Sequence, residues 1–323
     1  MSRVVIIGGS GHVGTYLVPL LVERGYHVIN VSRGTAQPYR SHSAWKSVEH
    51  VKADRKAEEA EGSFGSRILT LKPDIVIDMI GFELDSVTHL VDALIGKIEH
   101  YIFCSTIWVY GHSTAVPATE TDPTEAIDDY GQKKAAIETY LMRRAKLEGF
   151  PATSFRPGHI VGEGWLPVNP QGNLNPEVFS TIARGGELAL PNLGLEMLNH
   201  VHADDCARWV MCAIDHRTAS IGECFNTVAA QALTMRGCAE AMYRYFGQQP
   251  RLTFAPLERW AQEVAEGDVK TTRNHVTHSP CASIEKSRKR LGYEPRYSSL
   301  EAIQESVRAL IMAGKVTVPD ERK

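Results

Sequence analysis

A glycine-rich loop that directly follows a short apolar run constrains the fold of this chain more than any other feature. The run Val4–Ile7 is fully apolar, as is typical of a strand buried in a parallel sheet, and the loop GGSGHVG follows it at residues 8–14. Apolar residues at helical spacing then extend from about His12 to Arg24. Glycine permits a tight turn and a close approach of the backbone to a pyrophosphate, and the helix N-terminus supplies amide donors. The sequence therefore predicts a dinucleotide site in this loop. The predicted contacts are Gly8, Ser10, Gly11, His12, Val13 and Gly14.

Strand-like and helix-like segments alternate through the first half of the chain. The predicted strands after the first are Tyr26–Val31, Ile75–Ile77, Tyr101–Cys104 and Thr153–Phe155. Helices are predicted at Asp85–Ile95 and Tyr130–Leu147. This alternation predicts an α/β fold with a Rossmann-type, doubly wound parallel sheet and right-handed crossovers.

The character of the chain changes after Pro157. Residues 157–176 are rich in proline, glycine and asparagine, which predicts a long loop of the kind that often carries function. Helices are predicted again near Pro176–Arg184, Asp204–Asp215, Thr234–Phe246, Pro256–Val264 and Ser298–Ala313. We therefore predict a dinucleotide-binding domain over residues 1–165, with parts of 200–230 returning to it. Residues 166–323 would form a smaller, mixed α/β lobe that binds the substrate.

Composition excludes several classes of protein. Hydrophobic residues make up 43% of the chain and charged residues 23%, which excludes a disordered chain or a coiled coil. A net charge of −3 gives no sign of a surface for nucleic acid or anionic membranes. The 6 cysteines contain no CxxC pair and no cluster has the spacing of metal ligands, so we predict no metal and no disulfide framework. No segment has the length of a signal-peptide core or a membrane span, and we expect the protein in the cytoplasm.

The end of the second predicted strand bears on the choice of cofactor. NAD-binding proteins of this fold usually place an acidic residue there, against the adenosine ribose. This chain has Ser32 and Arg33 instead, with no acidic side chain beside them. A hydroxyl next to a guanidinium suits a 2′-phosphate, so the sequence favours NADP(H), with NAD(H) possible.

Several motifs occur in a fixed order along nearly the whole chain, and together they are far more specific than any one of them. They are the loop GGSGHVG, CSTIWVYG at 104–111, YGQKK at 130–134, RPG at 156–158, VHADD at 201–205 and LGYEP at 291–295. With these motifs the chain resembles the extended short-chain dehydrogenase/reductase superfamily, in its NAD(P)-dependent epimerase/dehydratase branch. The resemblance implies that Asp54 and Arg55 lie where the adenine ring is held. It also implies that Pro157 and His159 lie near the nicotinamide.

A tyrosine and a lysine in YxxxK spacing supply the predicted chemistry. Tyr130 and Lys134 lie on one face of a helix, and an ammonium near a phenol lowers its pKa and prepares it for proton transfer. The resemblance implies that Lys134 also holds the nicotinamide ribose. It further implies that Thr106 is the hydroxyl that contacts the substrate oxygen, which completes a catalytic set of Thr106, Tyr130 and Lys134.

Two departures from the family pattern bear on the reaction and the substrate. Sugar-nucleotide 4,6-dehydratases carry Asp-Glu after the corresponding threonine, whereas this chain has Ile107 and Trp108, so dehydration is disfavoured. Many nucleotide-sugar members carry an arginine where this chain reads Leu198-Asn199, so a nucleotide sugar is in doubt unless Arg251 or Arg273 compensates. A plain sugar, a sugar phosphate or another hydroxy-carbonyl compound stays open. The predicted substrate contacts are Trp108, Glu163, Asn169 and Asn173.

Two functional hypotheses follow from these residues. The first is an NAD(P)-dependent epimerase or dehydrogenase/reductase that acts on a secondary alcohol or ketone of a sugar or sugar derivative. The second is a non-catalytic NAD(P)-binding sensor or RNA-associated scaffold on the same fold. The resemblance also implies a homodimer, paired through the helices predicted at Asp85–Ile95 and Tyr130–Leu147, and we predict no nucleic-acid or membrane partner.

Overall fold

Seven parallel strands form the central sheet of the computed structural model, which describes residues 2–319. The strands of the chain are β1 Arg3–Ile7, β2 His27–Ser32, β3 Glu49–Lys52, β4 Ile75–Asp78, β5 His100–Cys104, β6 Ala152–Pro157, β7 His159–Val161, β8 Leu188–Pro191, β9 Met197–Leu198, β10 His200–His202, β11 Cys224–Thr227, β12 Leu233–Thr234 and β13 Leu252–Ala255. The central sheet has the order β11-β6-β5-β4-β1-β2-β3, and the remaining strands form the pairs β10-β7, β12-β9 and β13-β8. The predicted doubly wound Rossmann-type sheet is confirmed.

Helices cover both faces of this sheet and build the second lobe. They are α1 His12–Glu23, α2 Arg55–Ala60, α3 Phe64–Thr70, α4 Leu84–Leu94, α5 Asp129–Glu148, α6 Glu177–Ala183, α7 Ala203–Asp215, α8 Arg217–Ser220, α9 Met235–Tyr245, α10 Leu257–Trp260, α11 Glu266–His278, α12 Glu285–Leu291 and α13 Ser299–Met312. Short 3-10 turns occur at Ser43–Ser47 and Ile107–Val109. Within residues 2–319, no helix combines the length and the apolar character needed to cross a membrane.

Alternate residues of the first strand enter opposite hydrophobic cores, because successive side chains of a strand point to opposite faces. Val4 and Ile6 pack with residues of α1 and α7 on one face. Val5 and Ile7 pack with residues of α3, α4 and α5 on the other. A third core lies in the second lobe, among residues of α6, α9 and α13. The sheet is therefore buried on both sides, and its strand ends are where a cavity can form.

The second half of the chain contributes to the sheet. The sequence predicts a return within residues 200–230, and β11 lies in this range and pairs with β6 in parallel. The strand predicted at Thr153–Phe155 is therefore not the last of the sheet. Ile284 and Leu291, at the two ends of α12, also belong to the core on the α1 face. Segments after residue 166 thus cross back and cover the sheet. The packing therefore does not follow the domain boundary predicted at that residue.

Helix α11 differs most from the sequence prediction. A helix is predicted over Pro256–Val264, whereas the structure has the short α10 and then α11, over Glu266–His278. The buried residues of α11 are Thr272, His275 and His278, which are polar. A helix with a polar buried face has no apolar periodicity, so the pattern that identifies helices misses it. The sequence also gives no prediction for β3, α2, α3 or α12, which are short.

Candidate active site

A cavity of about 500 Å³ opens at the carboxyl ends of β1, β4 and β5. Gly8 follows β1, Met79 follows β4 and Ser105 follows β5, and all three line it. The carboxyl ends of parallel strands are where ligands bind in open α/β sheets. The predicted site residues that line the cavity are Gly8, Gly11, His12, Val13, Gly14, Thr106, Trp108, Tyr130, Lys134, Pro157 and His159.

The glycine loop leaves the N-terminus of α1 open to this cavity. Gly8 has φ +89°, which favours glycine, and the Gly11 amide donates to the Gly8 carbonyl at 3.2 Å. Gly11 is the N-cap residue of α1 and has no capping side chain. A Cβ on Gly14 would lie 1.9 Å from the Gly9 carbonyl oxygen, so only glycine lets the helix pack this closely on the loop. The loop thus forms a cradle of backbone amides suited to an anion.

The Ser10 side chain stabilises the loop and does not line the cavity. Its side chain is buried, and the Asn30 amide from β2 donates to the Ser10 hydroxyl at 2.8 Å. The bond ties the loop to the neighbouring strand. Ser10, predicted as a cofactor contact, therefore has a side-chain role in holding the loop shape.

His12 lies inside the cradle with unsatisfied hydrogen-bonding capacity. It is only 6% exposed, and neither ring nitrogen has a hydrogen-bond partner among the residues that the structure describes. Its ring stacks on Trp165, with centroids 4.7 Å apart, and meets Tyr39 edge-on. Burial, and next the neighbouring His202, lowers the pKa of His12 to about 3, so the ring is neutral. An open cradle with an unpaired imidazole fits the pyrophosphate of a dinucleotide, held by loop amides and by an N–H of His12.

Substitution of Gly14 by alanine is expected to disrupt this cradle. The new Cβ would overlap the Gly9 carbonyl, so the loop and α1 must separate. We expect affinity for NAD(P)H to fall at least about tenfold and the free energy of unfolding to fall by about 1–3 kcal/mol. Cofactor fluorescence titration and urea unfolding measure these changes. Gly267→Ala is the matched control, because no atom lies within 4 Å of a Cβ there; equal cofactor affinity in both variants would contradict the assignment.

Lys134 is held rigidly beneath the cavity by backbone carbonyls. It is 1% exposed, and its Nζ donates to the carbonyls of Cys104 at 2.7 Å and Gly81 at 2.8 Å. The ammonium also lies over the rings of Phe82 and Phe103, 4.6 and 4.7 Å from their centroids. Burial lowers the pKa of Lys134. Two of its three N–H groups are thus committed, which fixes the direction of the third.

Tyr130 and Thr106 meet at the cavity wall, but the electrostatics differ from the sequence prediction. Burial raises the pKa of Tyr130 more than the nearby Thr106 hydroxyl lowers it, so the net shift is upward. Lys134 does not lower it as predicted, because its Nζ is turned to the two carbonyls and lies 5.9 Å from the Tyr130 ring centroid. In this structure the phenol is therefore protonated at neutral pH.

Trp108 stands at the far end of the cavity among histidines. Its ring stacks on His278 with centroids 4.2 Å apart and meets His275 edge-on at 5.2 Å. His159 also lines the cavity, and its Nε2 donates to the Leu166 carbonyl at 3.0 Å. Of the predicted substrate contacts, Trp108 therefore faces the cavity.

The structure corrects the roles of the other predicted substrate residues. Asn169 and Asn173 are fully buried, and the Asn169 amide donates to the Asn173 side chain at 2.5 Å. The Asn173 amide donates to Thr272 at 3.2 Å, so both side chains hold the loop together instead of facing a substrate. Glu163 pairs with Arg40 at 3.1 Å and is not among the residues that line the cavity.

The residues predicted to contact the adenosine end of the cofactor also lie outside the lining of the cavity. Arg55 is buried, and its guanidinium donates to both oxygens of Asp78 at 2.8 and 2.9 Å, so it is directed into the core. Asp54 is exposed and caps α2 by accepting the Ala57 amide at 3.2 Å. Arg33 is exposed just after β2, and the Ser32 hydroxyl accepts the Gly34 amide. None of these four predicted residues lines the described cavity.

Several residues that line the cavity escape sequence reasoning. Besides His275 they are Met79, Ile80, Phe82, Cys104, Ser105, Gly158, Ile160, Trp165 and Leu174. The carboxyl end of β4 is a signal that could have pointed to Met79 and Ile80, because ligands collect at such strand ends. His275 gives no comparable signal, since α11 is not recognisable from its sequence pattern.

The glycine cradle, the strand-end cavity and the Tyr130–Lys134 pair define a Rossmann-type dinucleotide-binding protein. Comparison with known proteins specifies the class. The chain belongs to the NAD dependent epimerase/dehydratase family, whose sequence profile matches residues 4–227. This confirms the resemblance inferred from the motifs.

Proteins that are named for different functions resemble this chain over most of its length. It is 28% identical to the chloroplast stem-loop binding protein of 41 kDa b of Arabidopsis thaliana, covering 94% of this chain and 78% of that protein. It is 24% identical to a UDP-glucose 4-epimerase of Streptococcus mutans, covering 93% and 94%. The crystal structure of UDP-glucose 4-epimerase from Thermotoga maritima superposes with a TM-score of 0.73 at 21% identity, covering 96% and 99%, which shows a shared fold.

Proposed function

We propose that the chain is an NAD(P)-dependent epimerase or dehydrogenase/reductase acting on a secondary alcohol or ketone of a sugar or sugar derivative. The observation that carries this proposal is the convergence of Thr106, Tyr130 and Lys134 on the cavity that also contains the glycine cradle. Membership of the NAD dependent epimerase/dehydratase family and similarity to a UDP-glucose 4-epimerase support it.

The residues divide the work of this reaction. When bound, the nicotinamide cofactor supplies or accepts a hydride. Tyr130 holds a proton on its hydroxyl and delivers it to a substrate carbonyl oxygen, or removes it in the reverse direction. Thr106 lines the cavity with Tyr130 and supplies a second hydroxyl for the substrate oxygen. Lys134, anchored by two carbonyls, keeps one N–H group that would hold the ribose of the cofactor.

Elimination of water, as in sugar 4,6-dehydratases, is not part of the proposed activity. That reaction needs an acid and a base beside the site of hydride transfer. Ile107 is buried and Trp108 lines the cavity, and neither side chain can exchange a proton. The proposal is therefore limited to hydride transfer with proton relay.

The choice between NADPH and NADH is tested at Arg33. Arg33 is exposed at the carboxyl end of β2, where a guanidinium can pair with a 2′-phosphate. Arg33→Gln is expected to weaken NADPH binding about tenfold and to leave NADH binding unchanged, because only NADPH has that phosphate. Fluorescence titration with both cofactors measures this. An equal effect on both, or none on NADPH, would contradict the preference for NADP(H).

Identification of any nucleotide that is purified with the protein tests the proposed function directly. The protein is denatured and the released compound is identified by mass and absorbance. Retained NAD(H) would indicate an epimerase that recycles its cofactor in place. Empty protein that binds NADPH and oxidises it with carbonyl sugars would indicate a dissociable reductase. Failure to bind either cofactor would refute the proposal.

A second candidate function is an RNA-associated role, which the name of the Arabidopsis relative favours. The basic residues of α12 argue against it, because Lys286 and Arg290 pair with Glu223, and Arg288 pairs with Glu285 and Glu294. Fluorescence polarisation with a stem-loop RNA at 50 and 200 mM salt separates the candidates. Tight, salt-dependent binding without hydride transfer would support the RNA-associated role.

We also propose a homodimer that pairs through α4 and α5. The two helices pack side by side, and Arg144 of α5 pairs with Asp92 of α4 at 3.1 Å, so they present one continuous face. Two copies of this face would form a four-helix interface. Sedimentation equilibrium that detects monomer alone at micromolar concentration would contradict this proposal.

A further inference from the structure

Four histidines lie around Trp108 and form what we call the imidazole wall. His159 and His275 line the cavity, whereas His200 and His278 are buried and do not line it. Ring centroids of His159 and His200 lie 5.6 Å apart, and those of His159 and His275 lie 6.3 Å apart. His278 completes the wall by stacking on Trp108. Within residues 2–319, no group of three or more His, Cys, Asp or Glu side chains is arranged to hold a metal ion, so the wall is not a metal site.

A hydrogen bond to a backbone carbonyl fixes which nitrogen carries the proton in each ring of the wall. Because a carbonyl can only accept, the bonded ring nitrogen carries the proton, and in a neutral ring the other nitrogen is an acceptor. The bonds run from His159 Nε2 to Leu166, His200 Nε2 to Val168, His275 Nδ1 to Thr271 and His278 Nδ1 to Asn274, at 3.0, 3.2, 3.0 and 2.8 Å. Burial lowers the pKa of His159 and His200, and that of His275 to about 4.

Positive charge is scarce around this end of the cavity. Among the described residues that line it, Lys134 is the only charged side chain, and two of its N–H groups are already used. Arg273, on α11, pairs with Glu258 at 2.6 Å and does not line the cavity. The side-chain amides of the loop over residues 169–175 donate within the second lobe. Burying a phosphate here without a cation would be strongly unfavourable.

We propose that the substrate is an uncharged polyhydroxy ring compound, such as a free sugar, a glycoside or a cyclitol, and not a nucleoside diphosphate sugar or sugar phosphate. Trp108 offers an apolar face to the ring, and the acceptor nitrogens of His159 and His275, the two wall residues that line the cavity, receive hydrogen bonds from its hydroxyl groups. The cavity of about 500 Å³ must also hold the nicotinamide end of a cofactor, which leaves room for a compact ring. This inference rests on the proposed function and narrows its substrate class.

Calorimetric titration of UDP into the protein saturated with NADPH or NADH tests the inference without relying on turnover. We expect no measurable binding, which corresponds to a Kd weaker than about 1 mM. A Kd below about 1 mM, or turnover of UDP-glucose or UDP-galactose, would overturn the inference while leaving the proposed function intact. Failure of the protein to bind either cofactor would instead refute the proposed function.

His275→Arg tests whether the lack of positive charge around the cavity is the reason that UDP is not expected to bind. The arginine adds a cation to the wall, and we expect UDP to bind at least about tenfold more tightly than to His216→Arg. His216 is exposed on the surface, so that control makes the same change of charge away from the cavity. Circular dichroism checks that both variants fold. A folded His275→Arg protein that binds UDP no better than the control would overturn the electrostatic argument.

Discussion

Replacement of Tyr130 by phenylalanine is expected to lower kcat/KM about a thousandfold, because it removes the only hydroxyl proposed to exchange a proton with the substrate oxygen. The proposed acid lies at the cavity wall, which it lines together with Thr106 and Lys134. Steady-state kinetics with a carbonyl sugar that the parent protein turns over measure the loss. Cofactor binding should stay within about twofold of the parent protein, since Lys134 and the glycine cradle are unchanged.

Tyr140→Phe provides the matched control for this variant. Tyr140 lies on the same helix, α5, and does not line the cavity. The same hydroxyl is removed, so any effect on helix stability is shared, and activity should remain near that of the parent. Full activity of Tyr130→Phe would remove Tyr130 from the mechanism. An equal loss in both variants would show that the helix, and not the proton, is responsible.

Asp78→Asn is expected to lower the free energy of unfolding by about 3–5 kcal/mol, because it leaves a buried guanidinium without its main counterion. Asp78 is fully buried at the end of β4 and accepts hydrogen bonds from Arg55, from the Tyr101 hydroxyl at 2.9 Å and from the Ile80 amide at 3.1 Å. Asparagine keeps the volume and removes the charge, so no cavity contributes. Urea unfolding followed by circular dichroism measures the change.

Two further variants separate charge from packing. Arg55→Met in the Asp78→Asn background removes the buried cation, whose remaining ion pair is with Glu59 at 2.7 Å, and should restore part of the lost stability. Glu240→Gln breaks the exposed pair of Glu240 with Arg236 and should cost less than about 1 kcal/mol. A loss in Asp78→Asn no larger than in Glu240→Gln would contradict the importance of the buried pair.

Local signals in the sequence predicted the sheet and much of the site. The alternation of apolar runs with helical segments identified the Rossmann-type fold, since parallel strands buried on both faces must be apolar throughout. The spacing of Gly8, Gly11 and Gly14 identified the cradle, and the spacing of Tyr130 and Lys134 put them on one helical face. Each of these features depends on residues within a few positions of one another, which is what a sequence pattern can record.

The partners of charged side chains were decided by the tertiary structure. Lys134 donates to carbonyls 53 and 30 residues away in the chain. These bonds turn its ammonium away from Tyr130, whose pKa the sequence predicts it to lower. Arg55, expected at the adenine ring, is drawn into the core by Asp78, 23 residues along the chain. A buried charge must find a counterion or dipoles wherever the fold supplies them, and local spacing does not specify where that is.

The sequence by itself determined the fold class and the family, and it predicts the Thr106, Tyr130 and Lys134 set, because these rest on periodicity and short motifs. Only the tertiary structure brought His159, His200, His275 and His278 together around Trp108. These residues come from β7, β10 and α11, and α11 buries a polar face that no hydrophobic pattern reveals. The character of the substrate end was therefore set by packing between segments far apart in the chain, where burial lowers the pKa of His159, His200 and His275.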